Sequence, residues 1–197
     1  MKQAILIYGA TSLGSPEFSA DLLWATEGYS VPDPVVYCEI EGKKILILSS
    51  LEIERGEKEA HVDEVVSYES YRKRADAEKV SVPVAFLKDR GVEEVIVPHT
   101  IRFSLGKVLE EHFKVTVKRD PFFPERAIKT KREIQEISNA QRAVEKATRE
   151  GMNFIANCRV KDSLLYHANF SQTPIASHHV RKVIDDVLYA EGYLGVE

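Results

Sequence analysis

The hydrophobic pattern divides the chain in two: short apolar runs alternate with amphipathic stretches up to residue 120, and long helical stripes follow. The run Ala4-Ile5-Leu6-Ile7-Tyr8, closed by Gly9, predicts a buried strand. Over 16–27, Phe18, Leu22, Leu23 and Trp24 recur at helical spacing, with Ser15 placed to cap and Pro16 at the first helical position. Two β-branched-rich runs, 34–40 and 43–48, flank Glu41-Gly42 and predict a hairpin with a two-residue turn. Ser49 and Ser50 are placed to cap a helix reaching residue 59, and 63–67 reads as a strand. A helix over 76–90, stopped by Gly91, should be kinked or interrupted at Pro83. Strand 92–97, helix 105–113 and strand 114–117 complete the alternation.

Alternating strands and helices predict an α/β layer structure on a mixed sheet flanked by helices, the hairpin supplying an antiparallel pair. The predicted domain covers residues 1–120, and the prolines at 121 and 124 make 121–124 a linker. Beyond it, in residues 125–197, Ile134, Ile137, Val144, Ala147, Gly151 and Ile155 form the stripe of one long helix over 130–157. Thr130 and Glu133 have capping-box spacing. A second helix is expected over 177–192, ending at glycine, and no strand is expected after Val117.

Composition narrows the function classes. Of 197 residues, 44% are hydrophobic and 29% charged, as in a globular protein with a real core. The formal net charge of −4 offers no broad positive field, which argues against nucleic acid and an anionic membrane as partners. The first apolar run is too short to span a bilayer and lacks the basic flank of a signal peptide, which places the chain in the cytoplasm. Cys38 and Cys158 stand alone, with neither zinc-knuckle nor redox-pair spacing.

Candidate chemistry is sparse. The loop Gly9-Ala10-Thr11-Ser12-Leu13-Gly14-Ser15 follows a strand and precedes a helix, the context of a phosphate cradle, yet it lacks the P-loop lysine and the Rossmann glycine spacing. A structural turn is the reading to set against a nucleotide site. The histidines at 61, 99, 112, 167, 178 and 179 share no helix face with a second histidine and a carboxylate, and adjacent His178 and His179 should point apart. Asp185 and Asp186 are neighbours that a solvated helix face explains.

Two stretches carry a family likeness. Asp21-Leu22-Leu23-Trp24-Ala25-Thr26-Glu27-Gly28, then Pro32-Asp33-Pro34 and the hairpin, resembles the amino-terminal domain of the creatinase, prolidase and Xaa-Pro aminopeptidase family. Arg126-Ala127-Ile128-Lys129-Thr130-Lys131-Arg132-Glu133-Ile134 resembles the start of that family's pita-bread catalytic domain, and Thr173-Pro174-Ile175-Ala176-Ser177 with the helix ending at Gly192 resembles its next helix. The resemblance implies a creatinase-type amino-terminal domain followed by a mostly helical, incomplete pita-bread segment. It also implies hydrolysis of peptide bonds preceding proline, acting on short proline-containing peptides in the complete protein.

In that family two divalent metals, Mn, Co or Zn, are held by two Asp, one His and two Glu on the pita-bread sheet and activate a water. No metal-ligand position transfers to a residue of this chain, which implies no cofactor and no activity for the chain by itself. Its expected partners are a second copy in a homodimer or a missing catalytic segment. Asp21, Trp24 and Asp33 are candidates for the substrate rim, against a core or turn role for each. The alternatives are a non-catalytic dimerisation or partner-docking module, motivated by the apolar helical tail, and a nucleotide-binding domain using the Gly9 loop.

Overall fold

The computed structural model describes residues 1–168 and 173–195, and the chain forms two compact units, Met1–Ala127 and Ile128–Glu197. In the first, β1 (Gln3–Gly9), β2 (Val35–Ile40), β3 (Lys43–Leu48), β4 (Glu64–Ser67), β5 (Glu94–Pro98) and β6 (Lys114–Lys118) build one sheet in the order β4-β3-β2-β1-β5-β6. β2 runs antiparallel to both neighbours, while β1 with β5, β3 with β4 and β5 with β6 pair parallel. Five strands therefore point their carboxyl ends to one edge. The hairpin turns on Glu41 and Gly42, with φ of 52° and 79°, and glycine takes the second left-handed position without the strain a Cβ would add.

Strand alternation sends Leu6, Val36, Cys38, Ile45 and Ile47 to one face and Ile7, Tyr37, Leu46 and Leu48 to the other. On the first face lie α3 (Tyr68–Glu78), α4 (Val82–Asp89) and α5 (Phe103–Glu110); on the second lie α1 (Ala20–Ala25) and α2 (Ile53–Glu59). Residues Val82 to Leu87 of α4 are all buried, which makes this helix the centre of its layer. Phe122 and Phe123, between the two prolines, are buried in the second-face core with Leu22 and Val31, so this stretch packs as part of the first unit.

Several elements depart from the pattern-based expectation. α1 starts at Ala20, not at Pro16, because Glu17 and Ser19 pair with Ala10 along an extension of β1; Ser19 is the N-cap, its Oγ accepting from Leu22 N at 3.2 Å. α2 is capped at Glu52 after a turn from Ser49, so neither serine is the N-cap. The single helix expected over 76–90 is two helices, with Lys79 left-handed at φ 54° and Pro83 in the first turn of α4. The polar α3 buries only Ala75, which left its first two turns without a hydrophobic signal.

In the second unit, α6 (Lys131–Ala156) begins at the expected capping box, with Thr130 N donating to Glu133 Oε2 at 2.7 Å and Glu133 N to Thr130 Oγ1 at 3.2 Å. It packs on α7 (Ser177–Ala190) through Ala143, Ala147 and Gly151, and a Cβ on Gly151 would stand 3.1 Å from Ile184 Cγ1. The expectation of no strand beyond Val117 is wrong: β7 (Arg159–Lys161) and β8 (Leu164–Tyr166) form a small hairpin on Asp162-Ser163, both at positive φ. Each strand has only three residues, and β7 is exposed with two basic residues, so Leu164-Leu165-Tyr166 in β8 was too short a run to announce a hairpin. Among the described residues no helix is long and apolar enough to cross a membrane.

Candidate functional site

The carboxyl-end edge of the sheet opens into a cavity of about 530 Å³. In open α/β sheets, ligands settle outside the carboxyl ends of the strands, where loops diverge. Here β1 supplies Tyr8, β3 supplies Ile47 and the turn after it Ser49, the start of β2 supplies Val35 and Val36, and Tyr68 begins α3. The amino ends of α4 and α5 close it with Ser81 and Pro83, and with Arg102, Ser104 and Leu105.

Its charges fall into two compensated pairs and one remainder. Arg102 forms an ion pair with Glu17, and its guanidinium lies 5.3 Å from the centre of the Tyr8 ring. Glu52 accepts from Tyr29 Oη at 3.0 Å and from Arg55 Nε at 2.9 Å. That bond, added to burial, pushes the Tyr29 phenol up to about 12, burial being the larger cause. Asp33 is exposed at the same cavity. Ser81 Oγ is buried without a hydrogen-bond partner although Ser81 holds the N-cap position of α4.

The structure thus separates the three rim candidates. Asp33 lines this cavity, whereas Asp21 and Trp24 sit on α1 and hold the phenylalanine stretch: Asp21 pairs with Arg126, and the Trp24 ring lies 4.9 Å from that of Phe123. Arg102 and Ser81 went unnoticed in the sequence because they come to one cavity only through folding. Ser81 two residues before Pro83 was the one local cue, a helix-start signal that the reading of a single helix over 76–90 passed over.

The Gly9 loop is turned inward. Thr11 Oγ1 donates to Tyr29 O at 2.6 Å and accepts from Val31 N at 2.7 Å, and the N–H groups of Thr11 and Ser12 both donate to Val31 O. A phosphate cradle needs such N–H groups unengaged. The helix that follows, α1, has six residues and an engaged N-cap.

The donor set does not fit a paired-metal centre. His61 stands 3.7 Å from Glu27, His99 3.6 Å from Asp120, and the His167 ring stacks on Phe154 at 4.3 Å. His178 and His179, expected to point apart, have ring centres 3.9 Å from each other, and His179 Nδ1 accepts from Ala176 N. Asp186 is paired with Lys182 at 3.0 Å. Among the described residues no three His, Cys, Asp or Glu side chains converge as metal ligands would.

In the second unit an open groove of about 1290 Å³ runs along α6 and α7, lined by Val144, Ile155, Val180, Ile184 and Tyr189. Beside the face of α6 that meets α7, a second stripe of Ile134, Ile137, Val144, Met152 and Ile155 is exposed, Ile137 by 55%.

No protein-family model and no curated protein sequence matches the chain. Solved structures do. A prolidase from Pyrococcus furiosus superposes with a TM-score of 0.62 at 15% identity, covering 95% of this chain and 45% of that one. The Xaa-Pro dipeptidase from Bacillus anthracis gives 0.65 at 13% identity over 96% and 45%. An X-Pro aminopeptidase from Thermotoga maritima gives 0.60 at 13% identity over 96% and 47%. This chain therefore spans less than half the length of each of these three proteins, and it has the fold of that portion. The mixed sheet with flanking helices expected from the alternation of strands and helices is the architecture found, and these structures share it.

Proposed function

We propose that the chain serves as the amino-terminal domain and first catalytic-domain helices of an Xaa-Pro-peptidase-like hydrolase, with the metal-bearing sheet supplied outside these residues. The observation that carries this reading is a match to three Xaa-Pro peptidases over nearly the whole chain, through both units. The exposed apolar stripe of α6 supports it, since an unpaired face of this kind suits a packed neighbour. In the complete enzyme the substrates are short proline-containing peptides and the metals are two divalent cations. Asp21 and Trp24 then act by anchoring the chain where it leaves the first unit. Among the described residues the donor set does not fit the metal pair.

An Xaa-Pro dipeptide assay with manganese tests this directly. The 197 residues alone should give no turnover, and covalent extension with a pita-bread sheet should give turnover that a chelator abolishes. Chelator-sensitive turnover by the 197 residues alone would overturn the assignment. The same exposed stripe favours a second reading, a module that associates through α6 without chemistry of its own; there the extended chain stays inactive and self-association persists.

A further inference from the structure

We propose that the cavity at the carboxyl-end edge of the sheet binds an uncharged, largely apolar small molecule, its body against the aliphatic walls and its one polar group among the cavity's hydroxyls. The inference is separate from the peptidase reading, since it concerns the first unit alone and no bond is broken.

The volume, about 530 Å³, lies in the range of small-molecule sites. Val36 and Ile47 from the strands, Pro83 from α4, and Leu105 and Val108 from α5 form aliphatic walls. Withdrawing such surface from water favours a ligand with an apolar body. Charge narrows the class further. Arg102 is held by Glu17, and Glu52 by Arg55 and the Tyr29 hydroxyl, so neither offers an unpaired charge to a ligand. Asp33 is exposed, where water answers its carboxylate and an added cation gains little. An ion drawn between the aliphatic walls would lose hydration without meeting a counter-charge, a cost that an uncharged molecule avoids.

The neutral polar groups of the cavity stand differently. Tyr8, Ser49, Tyr68 and Ser104 line it, and none of their hydroxyls bonds to another protein group among the described residues. A hydroxyl both donates and accepts, so this set suits an alcohol, a carbonyl or an ether on the ligand. A bare hydrocarbon would displace water from these hydroxyls and return no hydrogen bond, which costs affinity. An ion would leave its own charge unanswered. An apolar body with one neutral polar group meets both conditions.

Calorimetric titration of the whole chain with naphthylmethanol, naphthoate and naphthylmethylammonium tests the assignment, since the three share one ring system and differ in charge. Saturable binding of the alcohol is expected, with each ion weaker by about tenfold or more, as for an unanswered charge against apolar walls. Leu105→Trp, which fills the cavity, should abolish binding of the alcohol, and Ser104→Trp should weaken it by about tenfold. Ser104 is exposed, so the fold of that variant should survive, as its melting curve will show. Val144→Lys, in the groove of the second unit, should leave the affinity unchanged. Absence of saturable heat, an ion that binds as tightly as the alcohol, or full affinity in Ser104→Trp would each overturn the proposal.

Discussion

Cys38 shows how strongly one buried side chain can couple to pH. It sits in the middle of β2 with no exposure, and burial pushes its thiol up from about 9 to about 12. Between those values the unfolded chain has released the proton and the folded chain has kept it, so the folded state binds more protons and stability falls as pH rises. Tyr29 and Tyr37 act in the same sense, each pushed up mainly by burial. Urea stability should therefore drop from pH 9 toward pH 11, and by less in Cys38→Ala, which lacks one of the three groups. Thiol labelling gives a second readout: at pH 8 Cys158, partly exposed, should react promptly, and Cys38 only as fast as the sheet opens. Neither behaviour was visible in the spacing of two isolated cysteines. That a strand with β-branched neighbours would bury Cys38 was visible.

Among elements, the link between α1 and the phenylalanine stretch departs most from what composition suggests. Two prolines within four residues look like a solvated joint, yet Phe122 is 1% exposed and Phe123 9%. Trp24 covers Phe123 from α1, and Asp21 one turn earlier holds Arg126. Phe123→Ala should destabilise the first unit by about 3 kcal/mol, the scale for truncating a buried aromatic, measured by urea unfolding. The cost should be smaller in a Trp24→Ala background, because the two rings share one contact. The hairpin and α6 were legible, since each carries its own local signal: Gly42 in the turn, Thr130 and Glu133 in the capping box. The start of α1 was not. A serine and proline at 15 and 16 satisfy the helix-start rule locally, but pairing of Glu17 and Ser19 with Ala10 engages that backbone first.

For the molecule as a whole, the unresolved demand is the apolar stripe of α6. Ile134, Ile137, Val144, Met152 and Ile155 lie within one sector of the helix, beside the face that α7 covers. A stripe of this kind in water promotes association. The apparent mass of the isolated chain in light scattering should rise with concentration, and Ile137→Lys with Val144→Lys should bring it toward the monomer. Both residues are about half exposed, so the melting temperature should change little.

The alternation of apolar residues, the turn chemistry and the capping box settled most elements and the mixed α/β class, because each depends on residues within a few positions of one another. Tertiary structure alone decided the cavity, the ion pairs of Glu17 with Arg102 and Asp21 with Arg126, and the burial of Phe122. Those contacts join residues 85 and 105 positions apart in the two pairs, and no local pattern encodes a partner at that separation. The division is physical: propensity and periodicity act along the chain, whereas satisfaction of buried polar groups is settled only when the strands have chosen their order.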